Sequence, residues 1–346
     1  MKNLLFISGI LILLFKTGNV LSDNILFTVN NVEINKEIYK NKENLVNQAF
    51  QKAYKKLIKR LLLKDDFDKV SNINLNQVKK LISYYQIINS DKDVTNNSVK
   101  FNVFFEKERM HNFFYNRNIL YSDIINTEII LFPLLKVNDE LFIYSQNYFY
   151  EKWNENIETD LIQYSLPVES IESIQKIKSN KDNFFELDVS NFFIEYENKN
   201  LVFIIIEIEN KYSKIFLNTK ISGKIINKTF KVDYTEKNRD QFYNKIILQT
   251  KETIRDLIKS QNLIDVKTPS FLNVKIQLDN KSNLVEFKNR IKKINLINNF
   301  FVEQLNKDYV LIKIKYLGKI DKIINKLKDQ NIDLKIIEGQ WLINII

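Results

Sequence analysis

Apolar residues recur at helical spacing most regularly between Glu43 and Leu63, where Leu45, Val46, Ala49, Phe50, Ala53, Tyr54, Leu57, Ile58, Leu61 and Leu62 form one stripe. Lys52, Lys55, Lys56, Lys59 and Arg60 fall on the other face. That pattern predicts a long helix laid on a core, with a helix on a membrane surface as the competing reading. Ile25 to Ile34 alternates and is rich in β-branched residues, as a strand does. A short helix at Leu75 to Leu81, strands at Ile82 to Ile88 and Val99 to Phe105, and a helix through Met110 to Tyr115 complete an α+β unit ending near Asn118.

The middle of the chain reads as strand Glu128 to Leu135, a hairpin through Leu141 to Tyr144, an aromatic stretch, and a helix from Glu169 to Ile177. Strands follow at Phe192 to Glu197 and Leu201 to Glu209, then a hairpin through Ile215 to Ile221 and Lys224 to Val232, then a helix from Lys237 to Ser260. After the linker-like Thr268-Pro269-Ser270 come strand Leu272 to Leu278, helix Leu284 to Ile294, strands Phe300 to Leu305 and Tyr309 to Tyr316, helix Ile320 to Leu327, and a strand or hairpin over Leu334 to Ile345. This is the βαββαβ order of a ferredoxin-like domain, which stacks both helices on one face of its sheet and leaves the other free. The expectation is therefore a multi-domain α+β protein, with domains at 23–118, 119–265 and 266–346 behind an N-terminal segment of 22 residues.

That segment has its own pattern. Met1, Lys2 and Asn3 precede the apolar run Leu4 to Phe15, Lys16 interrupts it, and compact residues end at Ser22. A basic start, an apolar middle shorter than the ~20 residues of a membrane span, and a small-residue end describe a secretory signal. The expectation is export to the periplasm of a Gram-negative bacterium with cleavage after Ser22, the alternative being an N-terminal anchor in the inner membrane. No later apolar run is long enough to span a bilayer; the longest is Leu201 to Ile206.

Composition mostly removes possibilities. The chain has no cysteine, so disulfides, thiolate metal sites and iron–sulfur clusters are closed to it. His111 is the single histidine, read as a packed or surface side chain on a helix rather than a ligand. Beyond residue 22 only Gly223, Gly318 and Gly339 remain, far apart, so neither glycine-rich phosphate loop can be assembled. Asp65, Asp66 and Asp68 lack the spacing and the glycine of a calcium loop and read as a solvated turn. Glu207 and Glu209 share a strand face, which suits an acid–base pair but equally the wet side of a half-buried strand. No cofactor or metal is expected.

Charge adds a direction. Residues 266–346 carry 15 Lys and Arg against 8 Asp and Glu, whereas residues 23–265 carry 35 against 34. Lys288 and Lys292 share one helix face, Lys319, Lys322 and Lys326 another, and Lys313 and Lys315 one side of a strand. These lysines, with Tyr148, Phe149 and Trp153 of the aromatic stretch, are the candidate contact residues. They point to an anionic or protein component of the envelope as partner, with a merely solvated lysine surface as the alternative. Nucleic acid is not expected, because the strands lack the paired aromatics of the RNA-binding version of this fold.

Several short stretches resemble a known family. Phe27-Thr28-Val29-Asn30-Asn31-Val32-Glu33 followed by Ala49, Ala53, Leu57 and Leu61, then Phe132-Pro133-Leu134-Leu135, then Gly318 and Gly339-Gln340-Trp341-Leu342, are similar to an uncharacterised exported proteobacterial family known as domain of unknown function twenty sixty-six. Tyr144 to Trp153 resembles that family's Asn-Pro-Trp motif, with Asn147, Tyr148 and Phe149 in its place and Trp153 kept, while Val168-Glu169 replaces a Gly-Asp. The resemblance implies export and a multi-part α+β body, and no activity. The leading expectation is a non-enzymatic periplasmic binding or scaffold protein. A carboxylate-based hydrolase of envelope glycan and a peripheral binder of anionic lipid are the alternatives.

Overall fold

A computed structural model describes residues 25–36, 41–88, 97–124, 127–138, 140–155, 162–179, 196, 199–278 and 283–346. The expected signal at 1–22 and the expected strand at Phe192 to Glu197 lie outside them, apart from Tyr196. The fold is mixed α+β. The chain divides into two compact units: residues up to Asp123 together with Leu263–Ile346, and Ile124–Asn262. The stretches read from sequence as first and last domains thus fall in one unit.

The N-terminal part of the first unit opens with β1 (Thr28–Asn35), followed by α1 (Lys42–Leu61), α2 (Lys64–Val70) and α3 (Leu75–Leu81), then β2 (Ile82–Ile88), β3 (Ser98–Phe105), α4 (Lys107–Arg117) and β4 (Tyr121–Ser122). β3 lies between β1 and β2, antiparallel to both. The stripe of α1 is the buried side: Ala49, Phe50, Ala53, Tyr54, Leu57, Ile58 and Leu61 leave water and the helix packs on β1. Burial of each large apolar side chain contributes about 1.5–3 kcal/mol, which places α1 in the core and disposes of the membrane-surface reading. Asn41 caps its first turn by accepting from Glu43 N.

Two polar details depart from the sequence pattern. Arg60, expected among the solvated lysines, instead reaches back along the helix and donates to Leu26 O and, at 2.9 Å, to Thr28 O. Burial lowers its pKa to about 10. Asp65, Asp66 and Asp68, expected in a turn, belong to α2, whose first turn takes Asp65 and Asp66 where carboxylates complement the helix dipole. His111 is buried on α4, its Nε2 3.1 Å from Tyr121 Oη, with the Phe27 ring 5.7 Å away edge-on.

The second unit contains β5 (Thr127–Val137), β6 (Glu140–Phe142), α5 (Tyr148–Lys152), β7 (Ile162–Ser165), α6 (Ile171–Ser179), β8 (Asn200–Ile208), β9 (Tyr212–Ile221), β10 (Lys224–Asp233) and α7 (Arg239–Gln261). The sheet order is β10-β9-β8-β5-β6, with β7 also on β5. β5 and β8 pair in parallel, and both are buried on both faces, as a near-continuous aliphatic run requires. One face packs Ile129, Leu131, Ile204 and Ile206 against Phe242, Ile246 and Ile254 of α7; the other packs Phe132, Leu134 and Phe203 with Ile177 of α6.

Pro133 sits inside β5, where a proline normally breaks a ladder. The geometry accommodates it. On its outer edge β5 pairs with β7 only at Thr127–Ile130 and with β6 only from Leu135, which leaves the intervening residues without a strand on that side. Asn147 fills that gap: its Nδ2 donates to Pro133 O at 2.8 Å and its Oδ1 accepts from Phe149 N at 2.9 Å, capping α5.

The C-terminal part of the first unit comprises β11 (Leu263–Ile264), β12 (Ser270–Gln277), α8 (Asn283–Ile291), β13 (Ile297–Leu305), β14 (Tyr309–Tyr316), α9 (Ile320–Asp329), β15 (Ile332–Ile337) and β16 (Gln340–Ile345). β11 pairs with β4, and Lys107 Nζ donates to Ile297 O, so the two parts of this unit are joined. The five-stranded sheet runs β13-β14-β12-β16-β15. Leu272, Val274, Ile276, Val310, Ile312 and Ile314 face the helices, meeting Phe287, Ile291, Ile323 and Leu327 in a closed core. The closing segment is a hairpin whose two-residue turn puts Glu338 and Gly339 at φ 53° and 79°, the left-handed pair that matches strand twist. Its second strand, β16, enters between β15 and β12 and runs parallel to β12, a seventh element beyond the expected six.

Candidate functional site

The aromatic stretch is largely buried. Phe149 and Trp153 have no exposed area, and Tyr148 is half-buried with its ring 5.0 Å from that of Tyr243. The stretch folds as α5, and the apolar sheet face and α7 enclose it. Lys251 Nζ, from α7, donates to Trp153 O at 2.7 Å and lies 5.8 Å from the Trp153 ring and 5.6 Å from the Tyr164 ring. Phe149 and Trp153 hold the second unit together, which corrects the reading of these two as partner-binding residues.

The lysines separate onto two sides of the C-terminal sheet. Lys288 and Lys292 are exposed on and just past α8, and Lys319 is exposed at the start of α9. Lys326 pairs with Asp329 at 3.1 Å, and Lys322 is held by Asp123 of the same unit. Lys322 is therefore an internal tether. All five belong to the helical side. Lys313 and Lys315 project from the opposite face, because Val310, Ile312 and Ile314 alternate with them and face the helices.

The strand register builds that opposite face residue by residue. Phe271 lies beside Lys315, which lies beside Asn299; Asn273 lies beside Lys313, which lies beside Phe301; Lys275 lies beside Leu311. Aromatic and cationic side chains thus alternate across three adjacent strands spaced at about 4.8 Å. Phe271 is 52% exposed and Phe301 47%. Lys313 Nζ lies 5.1 Å from the Phe271 ring centre and 3.8 Å from Glu303; Lys275 Nζ lies 4.2 Å from the Tyr309 ring. Sequence reading had singled out Lys313 and Lys315 but missed Phe271, Lys275 and Phe301. The signal was present as the run Phe271, Asn273, Lys275, Gln277 alternating with the buried aliphatics Leu272, Val274 and Ile276 of β12.

Exposed apolar side chains gather in the same region. Of the large ones exposed among the described residues, Phe271, Phe301 and Ile337 lie on this face by register, whereas Val302 and Leu305 fall beside Ile312 and Val310 on the helical side. A patch that is both apolar and basic is what separates this face from an ordinary wet sheet surface.

Other candidates carry less. Glu207 is bonded to Lys136 at 2.9 Å, so it is one half of an ion pair between β8 and β5 rather than half of an acid–base pair. A cleft of about 200 Å³ beside α1 is lined by Gln51, Tyr54, Lys55, Ser71, Asn72, Ile73 and Val78, without a carboxylate. Among the described residues no group of three or more His, Asp or Glu is placed to hold a metal ion, and no helix is long and apolar enough to cross a membrane. No protein-family model matches the chain, and no curated protein matches it in sequence.

Proposed function

We propose that this is an exported, non-enzymatic binding protein of the cell envelope whose C-terminal domain meets an anionic partner. The observation that carries the reading is the uncovered face of the five-stranded sheet, where Lys275, Lys313 and Lys315 are interleaved with Phe271 and Phe301. The domain is read as ferredoxin-like, with β12-α8-β13-β14-α9-β15 supplying the six elements and β16 added between β15 and β12. Both helices cover one face, which leaves the other to a partner.

Export rests on the leader pattern of Met1 to Ser22, and the resemblance to the exported family rests on the stretches quoted for it. With Phe149 and Trp153 in the core, contact falls to the C-terminal domain alone. Retention of the chain on immobilised polyphosphate tests this. Replacing Lys313 and Lys315 by Gln lowers the salt needed for elution, whereas Lys228→Gln, on the exposed β10, does not. Equal elution of all three would remove the reading. Cell fractionation with N-terminal sequencing checks the address, the expected first residue being Asp23.

A further inference from the structure

The open sheet face mixes two chemistries that a purely electrostatic partner would not use together. We propose that it docks on an anionic bilayer surface, with Phe271 and Phe301 entering the boundary between headgroups and acyl chains while Lys275, Lys313 and Lys315 hold lipid phosphates. This rests on the anionic-partner reading above and names the partner.

Three observations favour a bilayer over a soluble polyanion. The Phe271 ring already has the Lys313 ammonium over it and the Tyr309 ring has that of Lys275, so these rings are poorly placed to stack on a nucleobase or a sugar, although Phe271 keeps half its surface in water. The apolar surface continues past the phenyls onto Leu311 and Leu342, both half-buried on this face, and onto Ile337, which is 52% exposed. Aliphatic side chains offer no stacking face and gain only from leaving water, which a hydrocarbon boundary provides. The charge also matches. The domain carries +7 (15 Lys and Arg minus 8 Asp and Glu over 266–346), and the acidic groups near the face, Glu303 and Asp333, lie 3.8 Å from Lys313 and 3.1 Å from Lys335. Lysines whose stems lie along apolar surface while their ammonium groups reach the phosphate layer are suited to such an interface.

β13 completes the geometry. It is an edge strand of nine residues without lysine or proline, the residues that usually guard an edge. It places Phe301 on the open face at this edge, with Val302 and Leu305 on its helical side, and the lysines of β14 and β12 stand one and two strands behind it.

The test uses the chain from Asp23 onward, which keeps every described residue and removes the apolar leader. It is sedimented with vesicles of phosphatidylcholine alone or mixed with phosphatidylglycerol. Binding is expected only to the mixed vesicles, falling as salt rises. Lys313→Gln with Lys315→Gln weakens it roughly thirtyfold at low salt. Phe271→Ser with Phe301→Ser weakens it too, without loss of the circular dichroism of the folded chain, since both rings are already exposed. Because the chain has no cysteine, Phe271→Cys can be labelled alone with an environment-sensitive fluorophore. Its emission should shift to the blue on mixed vesicles and be quenched by nitroxide-bearing acyl chains, whereas a label at Ile225→Cys in the other unit should not respond.

Absence of vesicle binding, or binding that leaves the label at position 271 unchanged, overturns the proposal. So does a dimer held through β13 that Val302→Asp dissolves, or tighter binding to a single-stranded oligonucleotide than to vesicles. If vesicles are ignored while polyphosphate retention still depends on Lys313 and Lys315, the anionic-partner reading stands and only the bilayer is lost; if neither binds, both fall.

Discussion

Acidification should destabilise the first unit through one side chain. His111 is buried against Phe27 and Tyr121, its Nε2 beside Tyr121 Oη, and its Nδ1 has no hydrogen-bond partner. Burial, aided by the charge of Lys107, lowers its pKa from 6.5 to about 4. The folded form therefore binds fewer protons than the unfolded chain throughout that interval, so the direction is fixed: stability is whole above about pH 6.5, declines as pH falls, and its loss is complete below about 4. The gap corresponds to about 3 kcal/mol, a large fraction of the stability of an ordinary domain. Since His111 is the only histidine, its ring signal in a proton NMR spectrum needs no assignment. The midpoint should be near 4 in the folded chain and near 6.5 in urea. Carboxylates titrate in the same range, so the free-energy consequence is read as a difference: wild type minus His111→Gln, by urea unfolding at pH 7 and pH 4. Gln cannot become charged there and can still reach Tyr121, so the variant should be the less acid-sensitive by most of that amount. A folded midpoint at or above 6.5, or equal acid sensitivity of the two chains, would refute the reasoning.

Other substitutions probe the fold around it. Asn147→Ala leaves Pro133 O and Phe149 N buried without partners and should cost about 1–3 kcal/mol, read as a lower urea midpoint. Trp153→Ala should cost about 3–5 kcal/mol by opening a cavity, whereas Trp153→Phe should be much milder because the indole Nε1 makes no hydrogen bond; neither should alter retention on polyphosphate. Gly339→Ala meets no atom within 4 Å, so its expected cost of about 1–2 kcal/mol is purely that of a left-handed backbone, and thermal unfolding with the sheet otherwise intact checks it.

How much of this was legible in the sequence depends on whether the deciding interaction is local. Helix α1 was readable from its periodicity and strands β5 and β8 from their near-continuous aliphatic runs, because such stretches record their own burial. Arg60 was not: helical spacing put it with Lys52 and Lys59, but its side chain is long enough to reach the carbonyls of Leu26 and Thr28 more than thirty residues away. The aromatic stretch failed for a related reason, since an aromatic cluster has the same sequence whether it meets a partner or, as with Phe149 and Trp153, its own α7. The place of β16 was equally hidden. The turn Glu338-Gly339 announces a hairpin, yet whether its second strand joins β12 in parallel or stays at an edge is settled by packing across the sheet. That nonlocal choice bears on function: with β16 and β15 extending the far side, the sheet leaves β13 as the edge nearest Lys313 and Lys315. Phe271 and Phe301 each fall beside a residue from which the sequence had begun a strand, Leu272 and Phe300, and the one-residue step between them changes the face of the sheet. One residue out of phase with the helix-facing positions Leu272 and Phe300, those phenyls point into water beside lysines; in phase, they would have read as core. The candidate site was thus present in the alternation, and the register of β12, β14 and β13 is what assembles it.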